Sequence, residues 1–125
     1  MQACKVTIAT TVDGKTTEIV RDGEMSIENN GVKLRYTEEN AQVLLCYEKG
    51  EVVIDRQGDY TMRLRMKKGE TCDGVLGIGG SQGAIQTKTD RLAYSLKDDS
   101  FMLSLHYDLL IGNETQKMRI RLFAK

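Results

Sequence analysis

Two pairs of arginines on alternating positions, Arg63 with Arg65 and Arg119 with Arg121, are the most chemically suggestive residues in the chain. In an extended segment, residues two apart share a face, so each pair presents two guanidinium forks side by side, a geometry suited to phosphate or carboxylate. The plain alternative is a solvated outer face whose arginines pair with Asp or Glu on neighbouring strands. His106 is the only histidine and shares a face with Met102, Ser104 and Asp108. A metal site there needs ligands from other strands, and general-base work needs a nucleophile that no motif supplies, so a surface or rim histidine is expected.

Cys4, Cys46 and Cys72 are an odd number at unrelated spacings, which fits neither a disulfide framework nor a zinc site. Free thiols in a reducing compartment are expected, and no partner histidine marks one as a nucleophile. The glycine-rich run 74–83 invites comparison with a phosphate loop, but a strand-like Ala84-Ile85-Gln86-Thr87 follows where Lys-Ser/Thr and a helix are required. A flexible or bulged connection is expected there, or a loop closing over a binding mouth. No triad, paired carboxylates or metal cluster can be read, and no cofactor is implied.

The elements that must position these residues are strands. Gly14, Gly23, Gly31, Asn40, Gly50, Gly58 and Gly69 separate short segments that alternate apolar and polar residues, the pattern of an all-β meander. Strands are expected at 4–12, 16–22, 24–29, 32–37, 42–48, 51–56, 60–67, 71–76, 84–95, 101–111 and 115–124, some of them merging. Asp13-Gly14, Asp22-Gly23, Asn30-Gly31 and Gly112-Asn113 mark the firmest turns, and Glu38–Gln42 could form one helical turn. Proline is absent, so no ladder donor is lost inside a strand.

Tyr60, Met62, Leu64 and Met66 form one face of their strand, opposite Arg63 and Arg65; Met118, Ile120 and Leu122 oppose Arg119 and Arg121 in the same way. The longest apolar face runs through Phe101, Leu103, Leu105, Tyr107, Leu109 and Ile111. A stave of that length favours a closed antiparallel barrel, because closure removes the unpaired edges that an open sheet would expose.

The 125 residues suit one domain spanning 1–125, and no linker or repeat divides them. Apolar runs are too short for a bilayer-spanning helix and the N-terminus lacks a secretory pattern, so a cytoplasmic protein that does not use a membrane is expected. Zero formal net charge argues against a dedicated nucleic-acid binder. The balance conceals an asymmetry: residues 1–59 hold 11 acids and 7 bases, residues 60–125 hold 7 acids and 11 bases. The seven aromatic rings are spread over separate strands, which suits core packing better than a stacking platform.

The C-terminal half carries Met62-Arg63-Leu64-Arg65-Met66 followed by Lys68-Gly69-Glu70, then Gly83 with Thr87-Lys88-Thr89 and Leu92. Leu105-His106-Tyr107-Asp108-Leu109 and Gly112-Asn113-Glu114 complete the pattern. It resembles the YwiB-like family of small bacterial proteins, and more faintly the likeness extends over the N-terminal strands. The chain has Gly80-Ser81-Gln82-Gly83 where members often show Thr-Pro-aromatic-Gly, and it has no tryptophan, so the Gly-x-Trp of true lipocalins is missing. The resemblance implies a calycin-like, lipocalin-resembling barrel, mostly an up-and-down meander, and no established activity or catalytic residue.

Two functions follow as expectations. One is non-catalytic binding of a small, partly apolar ligand inside a barrel of eight to ten strands, held by Tyr60, Met62, Leu64, Met66, Leu103, Leu105, Tyr107, Met118 and Ile120. The other is an interaction module whose Arg63, Arg65, Arg119 and Arg121 face docks a protein or an RNA backbone. A monomer or homodimer is expected in either case.

Overall fold

Alternation with a period of two obliges each strand to bury one face, and in the computed structural model, which describes residues 1–125, ten antiparallel strands meet that requirement by closing on one another. They are β1 (Gln2–Val12), β2 (Lys15–Glu28), β3 (Gly31–Glu38), β4 (Ala41–Glu48), β5 (Glu51–Gly58), β6 (Thr61–Lys67), β7 (Thr71–Ile78), β8 (Ser81–Lys97), β9 (Ser100–Ile111) and β10 (Glu114–Ala124). Each strand pairs with its neighbour in sequence, and β10 returns to β1 over Val6↔Ala124 to Val12↔Met118. Of 90 backbone hydrogen bonds, 83 lie within strands, and the ladder closes round the barrel with gaps only where neighbouring strands part, chiefly β2 from β3 over Lys15–Asp22.

Turns at 13–14, 39–40, 59–60, 79–80 and 112–113 crown one end, called here the upper rim. The other turns and both termini lie at the lower end. The two-residue turns Asp13-Gly14, Asn29-Asn30, Lys49-Gly50 and Gly79-Gly80 have positive φ at both positions, matching the right-handed twist of the strands they join.

Four local expectations are corrected. Asp22-Gly23 is not a turn: segments 16–22 and 24–29 form the single strand β2, with Gly23 lying between Cys4 of β1 and Tyr36 of β3. A Cβ on Gly23 would stand 2.6 Å from the Arg35 carbonyl oxygen, so the glycine serves close strand approach. Residues 38–42 form a hairpin rather than a helical turn, with Asn40 in the left-handed region. The run 74–83 is neither a flexible connection nor a lid; β7 and β8 are regularly paired through it from Gly74↔Ile85 to Ile78↔Ser81. Tyr60 lies in the β5–β6 turn at the rim, 36% exposed, instead of on the barrel wall.

The interior is packed through its middle and lower part. Leu34, Leu45, Leu64, Met66, Leu103, Leu105 and Leu122 are almost wholly buried and belong to one cluster of 21 residues. At the lower end Tyr47 closes the lumen, its ring centroid 4.3 Å from that of Tyr94 and 6.1 Å from that of Phe101. Tilted ring pairs of this kind add about 0.5–1.5 kcal/mol each beyond simple burial. No helix of the structure is long and apolar enough to cross a membrane.

Candidate functional site

The upper end is built differently. Ile19, Met62, Leu76, Ile111, Met118 and Ile120 continue the inner faces of their strands, yet each is only half-buried against the core. The cause is topological: β2 pairs with β1 over Lys15–Met25 but with β3 only over Gly23–Glu28. Its first half, Lys15–Asp22, therefore diverges from β3 and leaves a mouth. A shallow, open depression of about 330 Å³ lies there, lined by Thr10, Val12, Thr17, Ile19, Arg21, Glu38 and Glu39. Tyr36 and Tyr107, on the inner faces of β3 and β9, are buried. Burial pushes both phenols well above their ordinary range, with Glu38 adding to the effect on Tyr36, so both keep their O–H protons.

Arg56 stands at this rim on the inner face of β5, in phase with Val52 and Ile54, and is 7% exposed. Its donors are committed to the protein. Nη1 donates to the Tyr60 carbonyl oxygen at 2.7 Å, Nη2 to Asp59 Oδ1 at 2.8 Å, and Nε to Glu38 Oε2 at 3.4 Å. The guanidinium carbon also lies 3.6 Å from the Tyr60 ring centroid. Arg56 thus pins the β5–β6 turn and Glu38 together, whereas Arg21 takes part in no ion pair and its one side-chain hydrogen bond goes to the neighbouring Val20 carbonyl. Deeper in the wall, the Thr87 hydroxyl donates to the Arg65 carbonyl oxygen at 2.5 Å, while the buried Thr89 hydroxyl has no partner.

The residues expected inside the barrel are distributed between these zones. Leu64, Met66, Leu103, Leu105 and Tyr107 are buried in the packed part, Met62, Met118 and Ile120 are half-buried on the inner faces, and Tyr60 lies outside on the rim. Sequence reasoning missed Arg21 and Arg56, although their inward phase was available from alternation with Ile19 and from Val52 and Ile54.

The four arginines expected to form one outer face do not converge. β6 and β10 are separated by β7, β8 and β9. Arg63 Nη1 lies 3.1 Å from Asp55 Oδ2, and Arg65 donates to Glu51, with Nη2 to Oε2 at 3.2 Å. The hydrogen bonds from Arg65, with Lys67 adding to them, hold the Glu51 carboxyl below the usual range. On β10, Arg119 and Arg121 are joined instead by Arg91 of β8 and His106 of β9. Arg91 could not be placed from alternation. Thr87 and Thr89 point inward, and strict alternation would send Arg91 inward too; the bulge between Thr89 and Arg91 turns it out.

The cysteines carry no sign of activation: all three are free and half-buried, and burial pushes the Cys4 and Cys46 thiols up.

Set beside known proteins, the fold matches the crystal structure of ywiB protein from Bacillus subtilis with a TM-score of 0.87, covering 99% of this chain and 91% of that one. The two are 19% identical, so the likeness speaks for the barrel alone. Comparison with curated proteins found no match. The profile of the family described as "Domain of unknown function (DUF1934)" matches residues 3–122, and the chain belongs to that family of YwiB-like barrels.

Proposed function

We propose that this protein is a non-catalytic binding protein that holds a small, partly apolar ligand in the upper mouth of its barrel. The observation that carries the reading is the contrast between the two ends: Tyr47, Tyr94 and Phe101 stopper the lower one, while apolar inner-face residues at the upper one stay half-exposed. Small-molecule sites combine apolar surface with a few polar groups to fix orientation; at this mouth Val12 and Ile19 supply the first, and Arg21, Thr10 and Thr17 the second. An acidic head on the ligand suits Arg21, since the fork of Arg56 is already occupied. A membrane has no place in this reading, because an apolar inside and a charged outside invert the arrangement of bilayer-spanning barrels.

The test uses 1-anilinonaphthalene-8-sulfonate, which joins apolar rings to one anionic group. Its fluorescence should rise on binding, and Ile19→Trp, which fills the mouth, should abolish the rise. Arg21→Gln should weaken binding about tenfold, the worth of one charge-assisted hydrogen bond. Enhancement that survives Ile19→Trp would place the dye elsewhere and sink the proposal. Native mass spectrometry of gently purified protein would then identify the natural occupant as mass beyond the 14.0 kDa chain.

A further inference from the structure

The outer face of β8, β9, β10 and β1 holds a second feature, independent of the mouth. Cross-strand register sets Arg91 and Arg119 on either side of His106, and Arg121 beside Ser104. β1 extends the sheet with Thr11 opposite Arg119 and Ala9 opposite Arg121. These small side chains keep the floor low while the arginines stand around it, leaving an open depression of about 490 Å³.

None of the six ion pairs in the molecule uses Arg91, Arg119 or Arg121. Arg91 makes one long hydrogen bond, from Nε to Ser104 Oγ at 3.4 Å. Clustered guanidiniums repel unless acids are interleaved, as Asp55 and Glu51 are for Arg63 and Arg65. No such acid is interleaved here. Asp108 lies between Lys88 and Lys117, Glu18 lies across β1 from Arg121, and Asp90 sits in the bulge. Burial, then Arg119 and Arg91, push the His106 imidazole below its ordinary pKa, with Asp90 opposing, so the ring is neutral at neutral pH. The face is preorganised for an anion whose charge it does not itself supply.

We infer that this depression is a phosphoryl-binding site, in which Arg91, Arg119 and Arg121 clamp the oxygens of a phosphate group and the Ser104 and Thr11 hydroxyls complete its hydrogen bonds. Bidentate guanidinium forks match phosphate geometry, and an anion here removes the repulsion among the three side chains. The same chemistry serves a small phosphorylated molecule and the backbone phosphate of single-stranded RNA.

Because His106 is the sole histidine, its ring protons report on the site without labelling ambiguity. Proton NMR titrations would be run with inorganic pyrophosphate and, separately, with a short single-stranded RNA. Bound phosphate should raise the His106 pKa, and Arg119→Gln and Arg121→Gln should each weaken pyrophosphate about tenfold. Arg91→Gln gives an independent third variant, and Arg63→Gln, on the ion-paired face, should change nothing. RNA that binds much more tightly than pyrophosphate, with steep salt dependence and loss in the same variants, assigns the phosphate to a nucleic-acid backbone; RNA that binds no better assigns it to a small molecule. The inference is overturned if neither probe moves His106, if binding survives the Arg119→Gln/Arg121→Gln double substitution, or if Arg63→Gln removes it equally.

Discussion

Replacing Arg56 by methionine removes the buried guanidinium at the rim while keeping an unbranched side chain of similar length. Three contacts go with it. The hydrogen bond to the Tyr60 carbonyl oxygen, at 2.7 Å from a side chain 8% exposed, is charge-assisted and is worth about 1.5–3 kcal/mol. The stacking of the guanidinium on Tyr60 adds about 0.5–1 kcal/mol at a partly exposed ring. The pairs with Asp59 and Glu38 contribute little, because the first carboxylate is largely solvated and the second contact is long. Against these losses, methionine spares the chain the burial of a charge, a gain of about 1 kcal/mol. The net expectation is a loss of about 2 kcal/mol. With a urea dependence of about 2 kcal/mol per molar, the unfolding midpoint should fall by about 1 M, and the slope should stay the same. A methionine variant as stable as the parent, or more so, would refute the idea that Arg56 pins the β5–β6 turn.

Two further outcomes test the same physical account. The buried Thr89 hydroxyl lacks a partner, so Thr89→Val, which keeps shape and β-branching, should raise stability by about 1 kcal/mol; an unchanged or lower urea midpoint would mean that the hydroxyl is satisfied in solution. Hydrogen bonds from Arg65 and Arg56 hold Glu51 and Asp59 below the usual carboxylate range. Folded-state values below unfolded ones give stability that is fully present above the ordinary carboxylate pKa, near about 4, and is lost as pH falls through the depressed values. The urea midpoint should therefore drop from about pH 5 down to about pH 2, less steeply in Arg65→Gln, and parallel curves for the two proteins would contradict this assignment.

Much of the barrel was legible because its signals are local. Alternation assigned Leu64, Met66, Leu103, Leu105 and Tyr107 to the inner face, and all five are buried. Asp13-Gly14 and Gly112-Asn113 lie at turns because residues tolerant of positive φ are needed wherever adjacent strands reverse tightly. The same local rule misread Asp22-Gly23, because glycine serves close backbone approach as well as reversal, and only the position of the Arg35 carbonyl oxygen distinguishes the two. It also misread the run 74–83, where glycines inside β7 sit against Arg63 and Thr61 of β6, contacts that do not exist until the strands pair.

Sequence by itself determined the all-β character, the closed antiparallel barrel, the family resemblance and which residues of most strands face inward, since each depends on chemistry repeated every second residue along one strand. Tertiary structure alone decided the sites. The divergence of β2 from β3 opens the mouth, ion pairing with β5 neutralises Arg63 and Arg65, and a one-residue bulge in β8 carries Arg91 to the side of Arg119 and Arg121. Each of these depends on which strand lies beside which and in what register, and that information is spread over residues far apart in the chain rather than written in any one segment.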